Sequence, residues 1–172
     1  TFFNPAPTAV TFVPERSMNQ ISSRAFVGIA VVGLFLSLGS PLLAQSNMGT
    51  WVANVAKSTY SPDPAPKSST LTIAASGVTV DVVPATGTAQ RWVYGGTYDG
   101  KPVPVTGNPN ADMAARKRLS PTTTETTFTK GGKVTSVNTS VVAADGKTMT
   151  ITAKGTNAQG QPMLNVQLYD KK

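Results

Sequence analysis

The chain has 172 residues, with 15 Lys plus Arg against 8 Asp plus Glu and a formal net charge of +7 at pH 7. It contains neither cysteine nor histidine. These absences exclude disulfides, thiolate nucleophiles, Ser-His-Asp triads, imidazole general bases and metal sites built from Cys or His. We therefore predict no metal and no cofactor.

The first predicted element is an export signal. Residues 18–24 are short, polar and weakly basic, and residues 25–39 form an apolar run of about fifteen residues, which is shorter than the roughly twenty that a spanning helix needs. Ser40-Pro41 ends the run, and Ala44 offers a small residue before a cut. We expect a signal peptide over 18–44, an upstream reading-frame extension over 1–17, and a mature domain over 45–172. The protein would be exported from a bacterial cell, to the periplasm or outside, without membrane attachment after cleavage.

The mature region is predicted to form a series of short β-strands. Threonine and valine are frequent, apolar and polar residues alternate, and turn pairs such as Asp99-Gly100, Gly131-Gly132 and Asp145-Gly146 recur at short intervals. The predicted strands lie near residues 50–56, 69–75, 78–84, 89–98, 101–105, 112–119, 122–130, 133–143, 147–154 and 162–169.

A sequential sheet of this kind has two exposed edges unless it closes on itself. Closure removes edges that would otherwise promote aggregation, and a small barrel is either filled by side chains or holds one small ligand. We therefore predict an all-β fold, an antiparallel meander closing into a barrel of about eight to ten strands.

Gly49-Thr50-Trp51 opens the first predicted strand. A Gly-x-Trp at this place resembles the lipocalin and calycin barrels, and the segments 49–62, 104–112 and 154–161 are similar to a set of small exported bacterial proteins. The resemblance implies a calycin-like barrel and an exported location, but no activity. Lipocalins also stack a late arginine over this tryptophan, whereas the final strand here offers Tyr169, Lys171 and Lys172.

Aromatic residues provide the first candidate binding site. Strand alternation places Trp92, Tyr94 and Tyr98 on one face, and Trp51 adds a fourth aromatic ring. Such residues form either a ligand wall or core packing at a barrel corner.

A second candidate binding site is the basic run Arg116-Lys117-Arg118. Arg116 and Arg118 share a face and could hold a carboxylate, phosphate or sulfate. Met113 and Leu119 lie on the face of Lys117, so we expect that face to be buried and both arginines to point to solvent, or to a polar neighbour such as Glu125. If the barrel holds a ligand, Arg116 or Arg118 would meet an anionic group of it at the mouth. Three basic residues are too few to predict nucleic-acid binding.

We therefore predict a non-enzymatic barrel for a small apolar or anionic amphipathic ligand. One alternative is a filled barrel with a structural or interaction role through its surface or self-assembly, and the oligomeric state stays open. Another is a hydrolase that uses carboxylates only, for which Asp81 and Glu125 are the candidate pair. The ligand-binding candidates are Trp51, Trp92, Tyr94, Tyr98, Arg116 and Arg118.

Overall fold

The computed structural model describes residues 47–172, which contain ten β-strands and one short 3₁₀ turn, Val55–Lys57. The predicted signal peptide and upstream extension lie outside the described residues. The strands are β1 (Gly49–Ala53), β2 (Ser68–Ala74), β3 (Gly77–Val83), β4 (Gln90–Tyr94), β5 (Asp99–Thr106), β6 (Met113–Arg118), β7 (Thr123–Lys130), β8 (Lys133–Val142), β9 (Thr148–Thr156) and β10 (Pro162–Lys171).

The strands form a closed antiparallel barrel. Each strand pairs with the next along the chain, and β1 pairs with both β2 and β10, so that Trp51 lies opposite Leu71 on one side and Lys171 on the other. The predicted all-β meander barrel is therefore confirmed. Within residues 47–172, no helix is long and apolar enough to cross a membrane.

The connections explain where strand prediction succeeded and where it failed. Gly131 and Gly132 form a two-residue hairpin with φ values of 57° and 76°, as their sequence predicts. Asp99 and Asp145 do not form two-residue loops. Each carboxylate instead accepts a hydrogen bond from the backbone N–H two residues later, which is an Asx turn. The Asp99 turn (3.0 Å) lies at the start of β5, and the Asp145 turn (2.9 Å) lies in the longer β8–β9 connection.

Because the strands alternate in direction, the connections divide between the two ends of the barrel. We call the end that carries the β2–β3, β4–β5, β6–β7 and β8–β9 connections the closed end, and the other the open end. The largest fully buried side chains, Trp51 and Met149, lie in the parts of β1 and β9 nearest the closed end, as do the buried Val78 of β3 and Val142 of β8.

Candidate functional site

The barrel interior contains a cavity of about 620 Å³, within the range of small-molecule sites. Loop residues of the open end line it, among them Pro64, Ala85, Asn108 and Gln159. Of the described loop residues 75–76, 95–98, 119–122 and 143–147 at the closed end, none lines the cavity. The cavity therefore runs from the open end towards a sealed base.

The mouth of the cavity is partly fixed by the connection between β1 and β2. The backbone N–H of Ser61 donates to Asn165 Oδ1 (3.0 Å), and Leu164 N–H donates to the Ser61 carbonyl (2.9 Å). Asn157 Nδ2 also donates to Asp63 Oδ1 (2.9 Å). These bonds hold the proline-containing segment against β10 and the β9–β10 connection at the entrance.

The two halves of the cavity wall differ in polarity. Strands β2, β3 and β4 contribute a largely apolar half: Leu71, Ile73, Val78, Val80, Val82 and Trp92. Strands β7, β8 and β10 contribute most of the polar groups: Thr124, Thr126, Ser136, Asn138, Ser140, Asn165 and Gln167. A molecule inside the barrel would meet mostly hydrocarbon on the β2–β4 side, and on the other side hydrogen-bonding groups interspersed with the apolar Phe128, Ile151 and Ala153.

A hydrogen-bonded network seals the base. Trp51 Nε1 donates to the Asn47 carbonyl (2.8 Å), and Asn47 Nδ2 donates to the Tyr98 hydroxyl (2.8 Å). Lys171 Nζ lies 5.0 Å from the centre of the Trp51 ring, so a lysine supplies the late cation over this tryptophan. Asn47 is itself buried, although it precedes the first strand. The sequence offered no pattern by which to predict its role.

Arg116 joins this network to the cavity. Its Nη1 donates to the Gly96 carbonyl (3.0 Å), its Nη2 donates to the Tyr98 hydroxyl, and its Cζ lies 4.1 Å from the centre of the Tyr98 ring. The residue is only 4% exposed, yet it lines the cavity. The ion pairs within residues 47–172 are Arg91–Asp81 and Lys101–Asp99, so no carboxylate there pairs with it. Arg116 is thus a buried, cavity-lining residue without a carboxylate partner in residues 47–172, and its guanidinium is met by the Gly96 carbonyl and by the hydroxyl and ring of Tyr98.

The prediction that both arginines of β6 point to solvent is therefore wrong for Arg116, which is buried. Ala114 and Arg116 face the interior, whereas Leu119 is half exposed. Leu119 lies beyond the end of β6, so it carries no information about which face of that strand is buried. The guanidinium is tolerated inside because a carbonyl and a tyrosine meet it there, and it lies at the base of the cavity, away from the mouth.

Tyr94 does not neutralise this charge. Burial raises the pKa of Tyr94 to about 12, an effect that the nearby positive charge of Arg116 only partly opposes. Burial likewise raises the pKa of Tyr169 to about 12, opposed by its hydrogen bond with Ser69. Both phenols are therefore neutral near pH 7.

These two phenols make the stability sensitive to alkaline pH. Because each folded pKa lies above the ordinary value of 10, their contribution is complete below about pH 10 and is lost as the pH rises towards 12. We expect the free energy of unfolding to fall by about 2–3 kcal/mol per tyrosine over this range. Denaturant titrations from pH 8 to 12 measure it, and Tyr94→Phe should show a shallower loss. Parallel losses in the two proteins would contradict the assignment.

The six predicted ligand-binding residues occupy three different places. Trp92, Tyr94 and Arg116 line the cavity. Trp51 and Tyr98 belong to the closed-end network beneath it, and Tyr98 lies in the β4–β5 connection because β4 ends at Tyr94. Arg118 is exposed, with its Cζ 4.5 Å from the Tyr98 ring centre. Sequence reasoning missed the polar residues that β8 contributes to the cavity, Asn138 among them.

The candidate catalytic carboxylates are not brought together. Asp81 lies between two cavity-lining valines on β3 and pairs with Arg91 on the outer surface (3.1 Å). Glu125 likewise lies between two cavity-lining threonines on β7, which is not a neighbour of β3. Both side chains alternate to the outer face of the barrel, so the pair cannot flank one scissile bond.

Compared with known proteins, the chain matches no protein-family model, no curated protein and no solved structure.

Proposed function

We propose that this barrel binds a small amphipathic molecule in its interior, with an anionic group of the ligand held by Arg116 at the base of the cavity. The observation that carries the proposal is the burial of an arginine that lines the cavity without a carboxylate partner in residues 47–172. The binding is non-enzymatic and requires no cofactor.

The energetics of a buried charge support an anionic ligand. An ionised group removed from water loses several kcal/mol of hydration unless an opposite charge or good hydrogen bonds replace it. A carbonyl and a phenol meet part of the guanidinium, which carries five N–H donors. A carboxylate, sulfate or phosphate could accept the remaining donors in a forked geometry and compensate the charge.

The cavity supports a ligand over a filled interior. A space of about 620 Å³ is far larger than the voids usual in a packed core. Its apolar half, with Trp92 and the β3 valines, suits a hydrocarbon or aromatic body. A filled barrel acting through its surface would not need such a space.

An exported location is part of the proposal. Asn47, the third residue after the proposed cut at Ala44, is buried within the closed-end network. A cut there would therefore keep the groups that seal the barrel. N-terminal sequencing of the protein secreted by a bacterial host tests this, and a mature chain that lacks Asn47 would contradict it.

The ligand class can be tested with two matched dyes. 1-Anilinonaphthalene-8-sulfonate carries an anionic group on an apolar body, and N-phenyl-1-naphthylamine is the same body without the sulfonate. A charge-assisted hydrogen bond contributes about 1.5–3 kcal/mol, so we expect the sulfonate to bind roughly tenfold to a hundredfold more tightly. Fluorescence titration, with native mass spectrometry for the stoichiometry, measures both. Equal affinity, or several weak sites per chain, would favour the alternative of a surface role.

A further inference from the structure

Over residues 136–141, strand β8 directs polar side chains into the barrel and an apolar side chain outward. Ser136, Asn138 and Ser140 line the cavity, whereas Val141 on the outer face is 43% exposed. The middle of strand β10 shows the same inversion, because Asn165 and Gln167 line the cavity while Leu164 and Val166 are exposed; Met163 and Tyr169 flank them on the inner face. This is the reverse of the usual pattern for a water-soluble barrel, in which apolar side chains face inward.

On β10 the side chains of Asn165 and Gln167 already accept hydrogen bonds from the Ser61 N–H and the Tyr169 hydroxyl, so folding accounts for part of the arrangement there, but it does not account for the arrangement on β8. A buried polar group that lacks a partner destabilises the protein, and Asn138 Oδ1 is buried with no hydrogen-bond partner in the described chain. Valines placed inside and polar residues placed outside would give the more stable strand. The inversion is therefore consistent with selection for something that occupies the interior.

The polar residues of β8 face the apolar residues of β3 across the cavity. In the ring of ten strands, β8 lies five places from β3, which is the diametrically opposite position. The inward residues of β3 are Val78, Val80 and Val82. The contrast in polarity therefore runs across the barrel, from one side wall to the other, in addition to the charge at its base.

We infer that the natural ligand is facially amphipathic: a rigid body with an anionic end, one apolar side that packs on β2–β4, and hydroxyl or amide groups on the other side that bond to β8 and β10. This inference rests on the proposed function, because it assigns the side groups of a ligand whose anionic end lies at Arg116. A straight-chain fatty acid has no such second face and would leave the polar wall unpaired.

Two bile-acid probes separate this inference from the proposed function. Cholate and 5β-cholanate share a ring skeleton and a carboxylate, but only cholate carries hydroxyl groups on one face. A purely apolar cavity would prefer cholanate, because hydroxyl groups lose hydration on burial. We expect cholate to displace the anilinonaphthalene dye about tenfold more effectively than cholanate.

Variants on β8 locate the effect. Asn138→Leu should reduce the preference for cholate to within about twofold without weakening cholanate, while Thr139→Val, on the outer face of the same strand, should leave it unchanged. Thermal unfolding of each variant checks that the barrel is intact. A wild-type preference for cholanate, or a cholate preference that survives Asn138→Leu, would overturn the inference while Arg116-dependent dye binding still supported the proposed function. Dye binding that does not depend on Arg116 would overturn both.

Discussion

Replacing Arg116 with methionine should abolish tight binding of anionic ligands while leaving the ligand-free barrel as stable as before, or more stable. The dissociation constant for the anilinonaphthalene dye should rise roughly tenfold to a hundredfold, since one charge-assisted interaction contributes about 1.5–3 kcal/mol. Methionine loses two hydrogen bonds, but it also removes the hydration cost of a buried charge without a carboxylate partner in residues 47–172. Dye titration and thermal unfolding measure the two effects.

Arg118 provides the matched control for this variant. It lies two residues along the same strand and also approaches the Tyr98 ring, but it is exposed and does not line the cavity. Arg118→Met should therefore leave the dye affinity unchanged. Arg116→Lys should bind with intermediate affinity, because lysine keeps the charge but lacks the planar fork. If Arg116→Met instead unfolds the barrel, the arginine is a structural element and the proposed anion site is wrong.

The two tryptophans should respond to substitution in opposite ways. Trp51 is fully buried at the closed end and donates to Asn47, so Trp51→Ala should lower the free energy of unfolding by about 3–5 kcal/mol. Trp92 is partly exposed and lines the cavity. Trp92→Ala should cost much less stability but weaken ligand binding. Urea unfolding and dye titration of the two proteins separate these effects.

Tryptophan fluorescence gives a second measurement that does not require the alanine variants to fold. The chain contains two tryptophans, so Trp51→Phe and Trp92→Phe each leave one reporter. Ligand should change the emission of Trp92 in the Trp51→Phe protein and have little effect on Trp51 in the Trp92→Phe protein. A ligand response confined to Trp51 would place the binding site at the closed-end network instead of in the cavity.

The strands of this barrel were predictable because their signals are local. Alternation of residues such as Val78, Val80 and Val82, together with glycine-rich turns, depends only on neighbours in the chain. The predicted meander followed from this spacing, and closure followed from the need to protect two sheet edges.

The site was less predictable because it depends on contacts distant in sequence. Alternation extended across Gly95-Gly96 grouped Tyr98 with Trp92, but the strand ends at Tyr94 and Tyr98 reaches Arg116 from a connection. The polar interior of β8 was missed for a related reason. Prediction from hydrophobic alternation assumes that the apolar side of a strand is the buried one, and that assumption fails where a strand faces a cavity.

A crystal structure of the mature protein with a brominated amphipathic carboxylate would test the central claim most directly. The anomalous signal of bromine locates the ligand body without reference to the protein coordinates. We expect the bromine inside the barrel and the carboxylate about 2.7–2.9 Å from the Arg116 guanidinium at the closed end. A ligand bound on the outer surface, or a carboxylate at the open end with Arg116 untouched, would contradict the claim that this buried charge binds the ligand.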